Sequence, residues 1–354
     1  MTAEHHGRPR AAAAHPEGPE PAGVLVTEHH RPSIRSRVLT AVMDQLMARA
    51  LRALTGDTLT QALRDRLARF DEWAAHVPVP WGARVGRTSV NGLPAEWSVG
   101  RGVRDPDAVV LYLHGGGWLF GGLNSHRSLV SRLSSASGQA ALAVAYRMVP
   151  EVSLDQEIED CLDAYRWLLA RGIAPGRIAI AGDSAGGHLA VATALRARER
   201  GLPRPAAVVG MSGVYDLDTA ARAALDPGDD PTGSAAALQW MIEMILAGDA
   251  PDQYSPLRAD LADLPPILLT VGSAEVLREE TEQLARRLAA ARAHCVLEIW
   301  HGQPHVFQAF APVLPEASRS LDRIGTFLRS AFAGTARPLP GRSRRASADL
   351  DDKT

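Results

Sequence analysis

Ser184 lies in the stretch GDSAGG at residues 182–187, with a glycine two positions away on either side. This spacing suits a serine on a sharp strand-to-helix turn, because the neighbouring residues must be small. The first N–H groups of the following helix would face any negative charge that develops beside the serine. We therefore predict that Ser184 is a nucleophile. Gly-x-Ser-x-Gly also occurs by chance, so the prediction depends on the flanking strand and helix.

A second stretch, HGGGW at residues 114–118, follows an apolar run that predicts a strand. Three consecutive glycines lose much conformational entropy in an ordered loop and need a physical reason. Close approach of backbone N–H groups to an oxyanion supplies one. We predict an oxyanion hole formed by Gly115, Gly116, Gly117 and Ala185, the residue after the nucleophile. The alternative is a flexible glycine turn.

A serine hydroxyl is a weak nucleophile at neutral pH and needs a base. Four histidines follow Ser184: His188, His294, His301 and His305. His188 lies on the helix that leaves the serine turn, and His294 precedes the last predicted strand. His301 and His305 follow that strand. We predict His305 as the base and retain His301 as the alternative.

A carboxylate that orients the histidine is expected after the predicted strand Pro266–Val271. Glu275 lies in the loop that follows this strand, whereas Glu279 and Glu280 lie in the first turn of a helix. Acidic residues are common in a first turn because of the helix dipole alone. We therefore predict Glu275 as the third member of a Ser-His-Glu triad.

Short apolar runs alternate with amphipathic helices across the middle of the chain. This alternation predicts an α/β fold with a mostly parallel central sheet flanked by helices. Residues 81–101 could add an antiparallel hairpin. The predicted helices are 124–137, 155–172, 185–200, 278–292 and 316–332. The predicted strands are Ala108–Leu113, Ala140–Tyr146, Arg177–Ala181, Ala206–Met211, Pro266–Val271 and Cys295–Trp300.

Four further regions depart from the alternation. Residues 1–33 and 336–354 are predicted to be disordered tails on either side of a domain at 34–335. Residues at about 34–77 and 214–254 are predicted to form a helical cap over the site. His29 and His30 could bind metal adventitiously, as could His5 and His6, but a solvated tail is the favoured interpretation, and no metal site is predicted.

Composition narrows the class of protein. The net charge of −2 gives no basic field for nucleic acid. Two cysteines cannot form a disulfide framework. Neither a secretory signal nor an apolar run long enough to span a membrane is recognised. We expect a cytoplasmic protein without stable membrane insertion.

These motifs together resemble the hormone-sensitive-lipase family of esterases, the bacterial family IV. The likeness is carried by HGGGW, GDSAGG, the late His305 and the stretch YRMVPE at 146–151. The resemblance implies a capped α/β-hydrolase fold and hydrolysis of short-to-medium acyl esters without a cofactor. It also implies that Gly116, Gly117 and Ala185 are the main oxyanion donors.

The resemblance further implies a substrate pocket and a mode of assembly. Trp118 and Phe120 would border the pocket. Separately from the resemblance, Trp240, Met241 and Met244 in the second cap region are predicted to line the cap, and the alternative is that they are plain core residues. A small-molecule ester would be the partner, and a homodimer is expected because relatives often pair through the last strand.

The sequence departs from the family at two places, where relatives have Asp-Pro-Leu and Ser-Pro-Trp. Here these stretches read Glu275-Val276-Leu277 and Ser212-Gly213-Val214. Two other functions stay open: an amidase or deacetylase that acts on a natural product with the same triad, and a non-catalytic ligand receptor.

Overall fold

A ten-stranded sheet forms the centre of the protein. The computed structural model describes residues 24–42, 69, 71–103, 105–220, 234–335 and 344–345. Across the sheet, the strands lie in the order β10-β1-β9-β8-β7-β6-β4-β5-β3-β2. In chain order they are β1 (Val24–His29), β2 (Arg84–Val90), β3 (Leu93–Val99), β4 (Asp105–Leu113), β5 (Gln139–Val144), β6 (Ile178–Asp183), β7 (Ala207–Met211), β8 (Ile267–Gly272), β9 (Cys295–Trp300) and β10 (Arg344–Arg345).

Most neighbouring strands run parallel. The run from β5 through β4, β6, β7, β8 and β9 to β1 is parallel throughout. Strands β2 and β3 form the antiparallel hairpin predicted for residues 81–101, and β3 joins it to β5. The carboxyl ends of the parallel strands therefore open at one edge of the sheet, where α/β proteins place their ligand sites.

Helices cover both faces of this sheet, which confirms the predicted fold class. The six helices with defined bounds are α1 (Leu123–Ser137), α2 (Leu154–Ala170), α3 (Ala185–Glu199), α4 (Ser234–Leu246), α5 (Arg278–Ala290) and α6 (Pro315–Phe332). One core contains buried residues of α2, α3, α4 and α5, and the other contains those of α1 and α6. Alternate residues of β4 enter opposite cores: Leu111 enters the first and Tyr112 the second.

The N-terminal segment corrects one prediction. Residues 1–33 were expected to be disordered, but Val24–His29 form β1, which pairs in parallel with β9 from Val24↔Cys295 to His29↔Trp300. The apolar start of β1 covers a strand edge that would otherwise expose its hydrogen-bonding groups. The expectation of a disordered tail at 336–354 is likewise wrong for Arg344–Arg345, which pair antiparallel with β1. The rest of both predicted tails lies largely outside the described residues.

The same pairing bears on assembly. Because β1 occupies one side of β9 and β8 the other, the last strand of the main sheet has no free edge for a second copy. A homodimer stays a prediction, and pairing through β9 would first require β1 to leave.

The helical residues 34–42 connect the N-terminal segment by hydrogen bonds to the loop that follows β9. Ser36 and Thr40 donate their hydroxyl groups to the carbonyl oxygen of Gly302 at 3.2 and 3.0 Å. Gln303 Nε2 donates to Ser36 Oγ at 2.7 Å. Upstream of this helix, Ser33 N donates to Glu316 Oε1 at 2.7 Å. This segment therefore holds the loop at residues 301–305.

The cap prediction extends beyond what the structure describes. Residues 43–68 and 221–233 lie outside the described residues, so the cap as a whole stays a prediction. Of the second cap region, α4 is described. Among the described helices, none combines the length and apolarity needed to cross a membrane.

Candidate active site

Ser184 occupies the sharp turn between β6 and α3. Its backbone adopts φ 53° and ψ −123°, a conformation that costs energy for a residue with a side chain. The turn is tight: a Cβ on Gly182 would overlap the backbone of Gly186, and one on Gly186 would overlap the carbonyl of Leu113. Glycine at both positions therefore lets the backbone close, and the strain presents Ser184 Oγ at the carboxyl edge of the sheet.

The three side chains predicted as a triad meet at this edge. Ser184 Oγ lies 2.9 Å from His305 Nε2. His305 Nδ1 lies 2.6 Å from Glu275 Oε2. Glu275 follows β8 and His305 follows β9, so neighbouring parallel strands bring together residues that are 30 positions apart in the chain. The arrangement can pass a proton from the serine to the imidazole and stabilise the imidazolium that results.

Electrostatics around His305 favour its role as a base. Desolvation lowers the pKa of His305, but the hydrogen bond and the negative charge of Glu275 outweigh it, so the pKa is raised above 6.5. The His305 side chain is 39% exposed and the Glu275 side chain only 3% exposed. The imidazole is thus accessible to substrate, while its acidic partner is shielded from water.

Glu275 is held by two donors besides His305. Its Oε1 accepts the N–H of Gly272 at 2.6 Å and the hydroxyl of Ser212 at 2.8 Å. The backbone at Gly272 approaches the chain so closely that a Cβ there would overlap the carbonyl of Gln303. Both donors compensate the negative charge of a shielded carboxylate.

Ser212 was not singled out as a functional residue from the sequence. It directly follows β7 with φ 49°, and its oxygen also accepts the N–H of Val306 at 3.2 Å. The signal in the sequence is that Ser212 is the residue shared with the Ser-Pro-Trp stretch of relatives, whereas the two residues after it differ. The structure places this hydroxyl between the loops that carry Glu275 and His305.

The glycine loop approaches the turn as predicted, with one correction. Gly116 has φ 129° and Gly117 has φ 59°, both in the region that favours glycine. Among the hydrogen bonds of the described residues, none uses the N–H of Gly116, Gly117 or Ala185, so these groups are available to an anion. The N–H of Gly115 instead donates to Asp183 Oδ1 at 3.2 Å, so Gly115 is not a free donor.

Asp183, next to Ser184, connects the serine turn to the glycine loop through hydrogen bonds. Besides Gly115, its carboxylate accepts the Tyr112 hydroxyl at 2.6 Å and lies 3.4 Å from His126 Nε2. Burial raises the pKa of Asp183, but the charge and hydrogen bond of His126 outweigh it and lower the pKa below 3.8. A charged, buried carboxylate therefore fixes the loop relative to Ser184.

The rings of the other three candidate histidines contact other residues or lie elsewhere on the sheet. His188 accepts Trp118 Nε1–H at its Nδ1 and donates from Nε2 to the Tyr254 carbonyl, at 3.2 and 2.9 Å. Burial lowers the pKa of His188 to about 4, so the ring is neutral, as a packing residue requires. His301 Nε2 lies 3.1 Å from Glu28 Oε2, whereas His305 is the histidine in contact with Ser184 Oγ. His294 lies at the opposite end of β9.

The predicted pocket residues divide into two groups. The expectation that Trp118 borders the pocket is wrong: with φ 62° it turns inward and is fully buried against His188. Phe120, Trp240, Met241 and Met244 are partly buried against the core. Met241 of α4 contacts the glycine loop, because a Cβ on Gly117 would overlap its sulfur.

Comparison with known proteins agrees with this geometry. A family model described as the alpha/beta hydrolase fold matches residues 110–309. The chain is 39% identical over 290 residues to the carboxylesterase/phospholipase LipF of Mycobacterium tuberculosis, covering 78% of this chain and 77% of LipF. It is also 39% identical over 272 residues to an acetyl-hydrolase of Streptomyces hygroscopicus, covering 74% of this chain and 87% of that protein.

A solved structure extends the likeness to three dimensions. The crystal structure of an esterase from the bacterial hormone-sensitive lipase family superposes with a TM-score of 0.74 at 36% identity. The superposition covers 85% of this chain and 99% of that one. This chain therefore belongs to the hormone-sensitive-lipase family of α/β-hydrolase esterases.

Proposed function

We propose that the chain hydrolyses carboxylic esters of short-to-medium acyl chains by two-step acyl transfer through Ser184, His305 and Glu275. The observation that carries the proposal is a continuous chain of hydrogen-bond contacts. Ser184 Oγ lies 2.9 Å from His305 Nε2, and His305 Nδ1 lies 2.6 Å from Glu275 Oε2. A serine, a base and an orienting acid in hydrogen-bond contact form the constellation that activates a hydroxyl for attack on a carbonyl.

In the first step, Ser184 Oγ attacks the ester carbonyl while His305 Nε2 takes the serine proton. The carbonyl oxygen becomes an oxyanion, which the N–H groups of Gly116, Gly117 and Ala185 stabilise. Each such donor is worth about 3–4 kcal/mol in the transition state. His305 then gives its proton to the departing alcohol, leaving an acyl group on Ser184.

In the second step, water attacks the acyl-enzyme. His305 takes a proton from the water, the oxyanion forms again at the same donors, and the proton returns to Ser184 as the carboxylic acid leaves. Glu275 holds Nδ1 of His305 protonated and compensates the positive charge that the ring carries in both steps.

The preference for short-to-medium acyl chains is supported by α4. Met241 packs directly on Gly117, so α4 reaches the oxyanion loop. We propose that residues 214–254, together with residues 34–77, cover the site and restrict the space for the acyl chain. A small-molecule ester is the substrate in this proposal.

A series of p-nitrophenyl esters from acetate through octanoate to palmitate tests the acyl range. We expect kcat/KM to be highest between acetate and octanoate and to fall steeply towards palmitate. A maximum at palmitate would contradict the proposal. A matched anilide separates ester from amide hydrolysis, because faster turnover of the anilide would favour the amidase.

We also propose a reducing, cytoplasmic location. Cys161 and Cys295 are both free and buried thiols, which suits a reducing compartment. Fractionation of the native host tests this, and recovery of the full chain outside the cytoplasm would contradict it.

A further inference from the structure

A cluster of three side chains outside the triad has the composition of a metal site. Glu28 and His30 lie at the end of β1 and just beyond it, and His301 directly follows β9. We propose that these three residues bind one divalent transition-metal ion, with zinc as the best fit. The ion would be structural, since Ser184 and His305 use no metal in the mechanism above.

The spacing of the ligand atoms supports this proposal. His30 Nε2 lies 3.2 Å from Glu28 Oε2, and His301 Nε2 lies 3.1 Å from the same oxygen. One ligand atom from each residue lies within 4.8 Å of the others. Two ligands that are each about 2.0–2.1 Å from a tetrahedral zinc ion are about 3.3 Å apart. The three side chains thus need only small adjustments to surround an ion.

The parallel register of β1 and β9 creates the cluster. His29 pairs with Trp300, so the next residues of the two chains, His30 and His301, lie side by side with ring centroids 4.3 Å apart. Side chains alternate along a strand, which puts Glu28 on the same side as His30. His29 points elsewhere and stacks on Trp300 at 3.7 Å, so it is no ligand.

The chemical types of the three ligands favour particular metals. Two imidazoles and one carboxylate suit zinc and its neighbours such as cobalt and nickel, whereas calcium and magnesium prefer all-oxygen sites. Three protein ligands leave a fourth position for water. The side chains of Glu28, His30 and His301 are 40%, 63% and 29% exposed, so the ion can enter from solvent without unfolding the chain.

A bound ion would join two parts of the chain that are far apart in sequence. Glu28 and His30 belong to the N-terminal segment, and His301 begins the loop that ends at the catalytic His305. Ligands recruited from both sides are brought together only in the folded chain, so metal binding stabilises that fold. The ion would thus link β1 to the loop that follows β9. Ser36 and Thr40 donate hydrogen bonds to Gly302 in the same loop.

Calorimetric titration of the full chain, prepared without an affinity tag, with zinc chloride tests the proposal. We expect one ion per chain and, in His301→Ala and His30→Ala, an affinity lower by more than about tenfold. The midpoint temperature of thermal unfolding of the unsubstituted chain should rise by about 4 °C when the free zinc concentration is about a hundred times the dissociation constant. Cobalt bound at the same site should give the visible absorption of a tetrahedral ion.

The double variant His5→Ala/His6→Ala is the matched control, because it removes two histidines near the N-terminus but none of the cluster. It should retain the binding and the thermal shift of the unsubstituted chain. The proposal is overturned if zinc does not bind, if His301→Ala binds as tightly as the unsubstituted chain, or if only the His5/His6 variant loses binding.

Discussion

The hydroxyl of Ser212 donates a 2.8 Å hydrogen bond to Glu275 Oε1, while its oxygen accepts the N–H of Val306 at 3.2 Å. Val306 directly follows His305, so one hydroxyl at the end of β7 supports the loops of both the acid and the base. Because a hydrogen bond to a charged group is worth about 1.5–3 kcal/mol, Ser212→Ala should lower kcat by about 10- to 100-fold with little change in KM.

Steady-state kinetics on p-nitrophenyl acetate measure this effect. Ser212→Gly serves as the control for backbone strain, since glycine tolerates φ 49° but also lacks the hydroxyl. Equal losses in both variants are expected. Full activity in Ser212→Gly would mean that the hydroxyl has no positioning role.

The pH dependence of kcat/KM should report the influence of Glu275 on His305. The base must be neutral, so activity falls as pH drops through the pKa of His305, which Glu275 holds above 6.5. In Glu275→Gln, burial still lowers the pKa of His305, but the raising effect of the Glu275 charge is lost. The acid limb should therefore shift to lower pH, and the plateau should fall by about 10⁴-fold.

Glu279→Gln is the matched control, because Glu279 is exposed in the first turn of α5. Its acid limb should coincide with that of the unsubstituted enzyme. An acid limb that stays unchanged in Glu275→Gln would show that Glu275 does not set the pKa of the catalytic base.

Gly116 should tolerate no side chain. Its φ of 129° favours glycine, and a Cβ would overlap the carbonyl of Phe120. Gly116→Ala must therefore shift the oxyanion loop, and we expect kcat to fall by about 10²–10³-fold. Gly86→Ala is the control, because Gly86 lies on β2 with no atom near the added methyl group, and it should keep full activity.

Circular dichroism and thermal unfolding of the Gly116 variant separate loss of the oxyanion hole from loss of the fold. A folded Gly116→Ala protein with unchanged kcat would contradict the assignment of this loop.

The hydrogen bonds of Ser36 and Thr40 to Gly302 should stabilise the His305 loop. Each is worth about 1 kcal/mol, and Ser36→Ala also removes the bond from Gln303 Nε2, so Ser36→Ala/Thr40→Val should lower the free energy of unfolding by about 3 kcal/mol. Denaturant unfolding measures this loss. Ser89→Ala, at an exposed position of β2, should change it by less than about 0.5 kcal/mol. A double variant as stable as the original would contradict the stabilising role of these bonds.

The sequence predicted the parts of the molecule that depend on local patterns. The glycines that flank Ser184 predicted its sharp turn, and the successive apolar runs predicted that Glu275 and His305 follow neighbouring strands. The alternation of those runs with helices predicted the parallel sheet, because buried strands and amphipathic helices differ in period and length.

Features that depend on contacts between distant segments could not be predicted in this way. Residues Val24–His29 contain only a short apolar run beside a Pro- and Gly-rich stretch, and they form a strand because the edge of β9 is available. Ser212 gains its role from the adjacency of β7 and β8, and Trp118 is buried through its contact with His188 of α3. His301 meets Glu28 only through the register of β1 and β9.

The most direct test of the account is labelling with a fluorophosphonate, which reacts with an activated serine. Intact mass should show one adduct per chain, and peptide mapping should place it on Ser184. The variants Ser184→Ala and His305→Ala should not be labelled under the same conditions. An adduct on another residue, or equal labelling of Ser184→Ala, would contradict the assignment of Ser184 as the nucleophile.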